Sequence, residues 1–291
     1  MIRYVFFIGM MLLIFSACDN DQALEKKEEV NSEIAGEVSD FSPYGSHKAY
    51  WYWISDLTDE EKLKMRVWIN TVLEGTTATL GQYPFDLHFY FHLSDDSTQA
   101  VSFGHTSRRG GQQAVHFYVT PSYPLKDFMS GWKAPHEISH LSIPFIGKKN
   151  SWFSEGYATY LSRKIMIEMG YLTPLEFDSI YREKIAETKH CYASVTSSHT
   201  EISDSLKKHN TYSTMYWGCS SFFFRADNEI QKSHDVTLIE VVAQYQKCCR
   251  LEDENLEQII DSFDEISGGE VFHQLLHDYQ HQPSAEVMKS F

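Results

Sequence analysis

The sequence predicts an α+β fold in two lobes, strand-bearing in its first half and helical in its second. Three observations carry that expectation. Apolar and polar residues alternate over 85–93 and again over 112–119, the period of half-buried strands. From 151 onward the apolar spacing changes to the helical period, with stops at Gly and Pro. The composition, 42% hydrophobic and 14% aromatic, is that of a chain able to bury one sizeable core or two lobes.

The N-terminus reads as an address. Arg3 supplies a positive charge, residues 4–15 are an apolar run too short for a lasting membrane span, and Phe15-Ser16-Ala17-Cys18 resembles a bacterial lipobox. Residues 1–17 are therefore expected to be a signal peptide, with lipid on Cys18 as the membrane attachment. Plain cleavage is the alternative, because Phe15 is unusual at its position. Residues 18–42, charged and without apolar periodicity, read as a tether. Residues 43–291 read as the folded, catalytic domain. The expected location is outside the cytoplasm, lipid-anchored to a bacterial membrane, periplasmic or at the cell surface. The net charge of −15 argues against nucleic acid and against attraction to anionic lipid.

The first folded element is a helix over 58–75. Thr58 and Glu61 form a capping box, and Met65, Trp68, Ile69, Val72 and Leu73 follow the helical rule. In the strand 85–93, Phe85, Leu87, Phe89, Phe91 and Leu93 face one side. His88 and His92 lie on the other side, too far apart along a strand to act together, and read as polar-face residues. A second strand is expected at 101–105 and a third at 112–119, joined by an Arg108–Gly111 turn. Helices follow at 151–169, 174–187, 211–231, 237–249, 256–263 and 270–281. The polar stretch 190–210 reads as a loop over the cleft, with His199 and His209 solvated.

Five cysteines are present. Beyond Cys18, the four at Cys191, Cys219, Cys248 and Cys249 allow three pairings in an oxidising compartment. Sequence does not choose among them, although neighbours such as Cys248 and Cys249 rarely pair.

The chemistry concentrates in His136-Glu137-Ile138-Ser139-His140. Side chains four apart share a helix face, so His136 and His140 can offer two imidazole nitrogens to one metal ion. Glu137 then stands close enough to act on a water bound to that metal. This is the HExxH pattern of zinc sites. Five residues with three fixed recur by chance, so the surroundings matter. The spacers Ile138 and Ser139 and the following Leu141 are uncharged, and Pro144 ends the helix soon after. Pro135 fits the first turn of a helix starting at 131–134. Catalytic zinc needs a third protein ligand and an open position; Glu155, in Trp152-Phe153-Ser154-Glu155-Gly156, is the candidate. Thr159 shares its helix face. It is either a hydrogen-bond partner for a ligand histidine or a buried threonine bonded to its own helix.

HEISH, WFSEGYATY and Tyr216-Trp217-Gly218 together resemble the gluzincin zinc metallopeptidases, nearest the aminopeptidase N and glycyl aminopeptidase families. The resemblance extends from about 110 to the C-terminus. It implies a two-lobed gluzincin-like domain with Zn2+ between the lobes, held by His136, His140 and Glu155. It further implies Glu137 as general base, Tyr216 as donor to the oxyanion, and a peptide or protein substrate. Trp217 stands where the family has Lys, and Tyr212, one turn earlier, is the rival donor. The family also implies that the last strand before HExxH is an edge that pairs with substrate. Gly110-Gly111-Gln112-Gln113 is similar in position to the aminopeptidase signature but has no carboxylate, which puts aminopeptidase activity in doubt. Two further readings remain: a zinc-retaining, inactive binding or scaffold lipoprotein, and a zinc hydrolase acting on a non-peptide amide or ester.

Overall fold

The computed structural model of the protein describes residues 40–291; the signal peptide, Cys18 and residues 18–39 of the tether lie outside the described residues. Strands β1 (Asp40–Tyr44) and β2 (His47–Trp53) form an antiparallel hairpin. The sequence reading did not include it, and β1 begins inside the segment read as tether. Gly45, with φ of +54°, makes the tight turn between them. Helix α1 (Asp59–Leu80) starts at the Thr58/Glu61 capping box and runs beyond 75. Gly75 does not stop it because its bare backbone lies against the Met169 side chain.

Strands β3 (Leu87–Leu93), β4 (Val101–Ser107) and β5 (Gln113–Val119) complete a sheet of order β1-β2-β3-β5-β4. The pairs β2–β3 and β3–β5 are parallel, and β4 is antiparallel to β5. The edge beside the candidate site is therefore β4; the 112–119 strand, expected there, is interior. Alternation holds for Leu87, Phe89 and Phe91 of β3, whereas Leu93 is exposed and Tyr90, on the other face, is buried. Trp51, Phe89, Phe91, Val115 and Phe117 bury one face against Met65, Trp68, Ile69 and Val72 of α1. On the opposite face Tyr52 Oη lies 2.9 Å from His88 Nδ1, and His92 Nε2 lies 3.2 Å from His116 Nδ1. His88 and His92 thus belong to a ring ladder on the sheet face.

Short helices α2 (Leu125–Met129) and α3 (Lys133–Ser139) follow, with Phe128, Ala134, Ile138 and Leu141 in the same core as the sheet. The rest is helical: α4 (Ser151–Glu168), α5 (Pro174–Lys189), α6 (His199–Lys208), α7 (Tyr212–His234), α8 (Leu238–Cys248), α9 (Leu256–Ser267), α10 (Val271–His281) and α11 (Ser284–Val287). These share a second hydrophobic core built on Trp152, Phe153, Tyr157, Phe222, Phe223 and Phe263. Two cores, one sheet-bearing and one helical, are what the α+β reading requires.

Two further expectations fail. The 190–210 stretch is not a loop over the cleft. It carries α6, started by a Ser198/Glu201 capping box. His199 is fully buried, its Nε2 bonded to the Gly218 carbonyl at 3.0 Å and its ring stacked on Tyr192. Polar composition concealed an amphipathic helix whose polar side chains are satisfied inside. Cys248 and Cys249 do pair with each other: the chain leaves α8 at Cys249, so the helical stagger that separates neighbouring side chains no longer applies. Cys219 is buried and free.

Helices α4 and α7 cross at Gly156. A Cβ there would stand 2.5 Å from the Cys219 carbonyl oxygen and 2.6 Å from its carbon. Backbone yields less readily than a side chain end, so Gly156→Ala must separate the helices. The expected cost is about 1–3 kcal/mol, read as a lower midpoint in thermal unfolding; an unchanged midpoint would show that the crossing is looser than this.

Candidate metal centre

Helix α3 is barely two turns long, and a 3-10 turn, His140–Ser142, continues it. Pro135 occupies its first turn, where no backbone donor is needed. Ile143 is already extended, at φ −123° and ψ 157°, as a residue before proline prefers. Pro144 thus ends the helix as the sequence indicates.

A helix that ends inside the protein leaves carbonyls without partners. Here four side chains from three segments fill them. Tyr83 Oη donates to the Ile138 carbonyl at 2.9 Å. Arg108 Nη2 donates to the carbonyls of His140 at 2.7 Å and Ile143 at 3.1 Å. Arg250 Nε donates to Leu141 O at 2.9 Å, and Gln246 Nε2 to Ser142 O at 2.8 Å. The sequence reading assigned Arg108 to a turn and overlooked Tyr83, Gln246 and Arg250. No local signal marks them, because they act more than thirty residues from their own positions.

This end holds the two histidines. Their rings meet edge to face, centroids 4.8 Å apart. Glu155, in the first turns of α4, brings Oε2 to 3.3 Å from His136 Nε2 and 3.4 Å from His140 Nε2. The three ligand atoms lie within 4.8 Å of one another, the one such group of His, Cys, Asp or Glu found among the described residues. His136 is buried, His140 and Glu155 partly so.

Electrostatics suit a cation. Burial drives His136 down to about 4, against the pull of Glu155, so its imidazole is neutral at working pH. For Glu155 burial works upward, but the charge and hydrogen bonds of the two histidines outweigh it and hold the carboxyl far below its ordinary range. Burial would lower His140 too; Glu155 overrides it and leaves His140 raised. Two nitrogens and one carboxylate oxygen that converge form the donor set that zinc accepts. The residues therefore fit the metal.

Glu137, next to His136, lies against Gly104 of the edge strand. A Cβ on Gly104 would come within 2.7 Å of Glu137 Cγ. A glycine inside a strand pattern often marks such an approach, and that signal in the sequence was available but unread. Tyr216, on α7, sets its ring 5.5 Å from that of His136. Tyr212 is further along, and its hydroxyl donates to Asn210 Oδ1 at 3.1 Å. Thr159 Oγ1 and His136 Nδ1 are both buried without hydrogen bonds, so the structure makes neither of the two bonds considered for Thr159. Gln112 and Gln113 are engaged elsewhere, with Tyr90 Oη at 3.2 Å and Arg250 Nη2 at 3.3 Å. Gly110 and Gly111 face open space.

No protein-family model and no curated protein matches the sequence. Solved structures do. The fold is similar to that of an M1 zinc metallopeptidase from Deinococcus radiodurans, with a TM-score of 0.50 and 11% identity over 84% of this chain and 51% of that one. An aminopeptidase N family protein from Idiomarina loihiensis gives a TM-score of 0.52 and 12% identity, over 84% of this chain and 46% of that one. The chain thus spans about half the length of the structures it matches. At this identity the likeness is one of fold.

The donor geometry predicts one zinc per chain in protein never exposed to chelator. His136→Ala and Glu155→Ala should each remove most of it, as measured by elemental analysis of the purified protein. Full zinc in both variants would mean that the metal sits elsewhere.

Proposed function

We propose that this chain is a zinc-dependent hydrolase of peptide bonds. The observation that carries the proposal is the position of Glu137, an acid adjoining a converged His–His–Glu donor group and held beside the edge strand by Gly104. A site that only binds metal has no use for that acid, so a scaffold role is the poorer reading. The likeness of fold to zinc metallopeptidases favours peptides over other amides or esters.

Zinc, held by His136, His140 and Glu155, would supply Lewis acidity toward water and the scissile carbonyl. Glu137 takes the proton of the attacking water and returns it to the departing amine. Tyr216 donates its O–H to the oxyanion; a phenol is neutral at working pH and offers one directed donor. The unpaired edge of β4 is available to an extended peptide, whose backbone can add to it as a strand. Attachment to a bacterial membrane through lipid on Cys18, periplasmic or at the cell surface, belongs to the same proposal and rests on residues outside the described ones. No described helix is long and apolar enough to cross a membrane.

Digestion of a peptide library by zinc-loaded protein tests the activity. Glu137→Gln should retain the metal while turnover collapses, since an amide cannot accept the proton. Hydrolysis at the wild-type rate with full zinc would remove Glu137 from the mechanism. Tyr216→Phe should lower kcat by about 10²–10³ with KM and zinc little changed, and Tyr212→Phe should be much milder. If the two variants exchange behaviour, Tyr212 is the donor; if neither slows turnover, the oxyanion is held by another group.

A further inference from the structure

Arg163 stands on α4 with Glu155 and Thr159, at successive four-residue steps and so on one helix face. It is about 12 Å along the axis from Glu155, roughly three to four residues of extended peptide. Its guanidinium lies between two indoles, 5.8 Å from the Trp132 ring and 5.4 Å from that of Trp217. One of these walls touches the candidate centre. Trp132 meets the His136 ring edge to face at 5.2 Å, and Trp217 follows Tyr216.

Among the described residues, Arg163 has no anion beside it. Nη1 reaches only the Met166 sulfur at 3.6 Å, and Nε is buried with no partner. Among the described residues, every other arginine that is not exposed has oxygen partners. Arg66 has Asp40, Arg225 has Glu229 and Asp278, and Arg108 and Arg250 have backbone carbonyls. Burial lowers Arg163 to about 10, so it remains a cation near neutrality. A largely desolvated cation with no counter-ion is costly. Two indole faces repay part of that cost and hold the planar fork rigid, which is the preparation a carboxylate needs for bidentate binding.

We infer that Arg163, clamped by Trp132 and Trp217, is a specificity residue that selects substrates bearing a carboxylate a few residues from the scissile bond. The inference rests on the hydrolase reading and names its substrate class. The carboxylate is either a peptide's C-terminus or an Asp or Glu side chain.

The test uses peptide pairs differing only in charge: free C-terminus against C-terminal amide, and Asp or Glu against Asn or Gln at each position flanking the cleaved bond. Wild-type protein should favour one carboxylate form in kcat/KM by about 10- to 100-fold, the range of one charge-assisted hydrogen-bonded contact. Arg163→Met, which keeps length without charge, should bring that ratio close to one, and Arg163→Lys should restore part of it. Which pair responds identifies the source of the carboxylate. Equal kcat/KM within every wild-type pair, or a ratio that survives Arg163→Met in folded protein, overturns the inference and leaves the hydrolase reading standing. Calorimetric binding of the same peptides to zinc-loaded Glu137→Gln, with and without Arg163→Met, is the second measurement. It decides the role of Arg163 even if no peptide is cleaved, a result that would defeat the hydrolase reading alone: charge-selective affinity lost with Arg163 upholds the role, and affinity blind to the carboxylate overturns it.

Discussion

The buried end of α3 is the constraint on which the candidate site depends. A seven-residue helix has little stability of its own, and its last carbonyls point into protein. Leaving them unpaired would cost about 1–3 kcal/mol each. Tyr83, Arg108, Gln246 and Arg250 prevent that, and the two guanidiniums also favour the negative end of the helix dipole. Because Tyr83 follows α1, Arg108 follows β4, and Gln246 and Arg250 lie at the end of α8, the bonds draw both cores to one short turn. His140 is part of that turn, so its orientation is set by the tertiary fold.

The second half of the donor group depends on helix packing. Glu155 and Gly156 are adjacent on α4, and the glycine permits the near-contact of backbones at Cys219. The same crossing carries Tyr216 on α7 toward His136. Behind α7, Gly218 accepts the Tyr192 ring and its carbonyl accepts from His199. The segment 190–210 therefore acts on the site from behind, by fixing α7.

Local order was legible in the sequence. Alternation revealed β3 and β5, the Thr58/Glu61 capping box marked the start of α1, and the four-residue spacing put His136 and His140 on one face. Glu155 was the candidate third ligand because catalytic zinc needs one, the family resemblance agreed, and the structure brings it to the histidines. What stayed hidden depends on contacts distant in sequence. Which strand forms the edge is a matter of sheet order, which periodicity does not encode. A polar helix with a buried histidine looks like a solvated loop until its partners, Tyr192, Gly218 and Ser284, are in view. Pairing of Cys248 with Cys249 required knowing where α8 ends.

Charge then explains how such a group can be ready for a metal inside a chain of net charge −15. Ligand imidazoles must be neutral and ligand carboxylates ionised. Most of the chain's charge is negative and would favour protonated histidines. Burial opposes it most at both histidines, with Arg163 adding to the lowering at His136 and Arg108 at His140. Glu155 pulls in the other direction and keeps His140 raised. Without a metal, a proton on His140 is the available counter-charge for that buried carboxylate. A divalent ion can replace the proton, satisfy Glu155 and leave both imidazoles neutral, so burial and the carboxylate act together: the first keeps His136 ready, and the second makes a cation necessary.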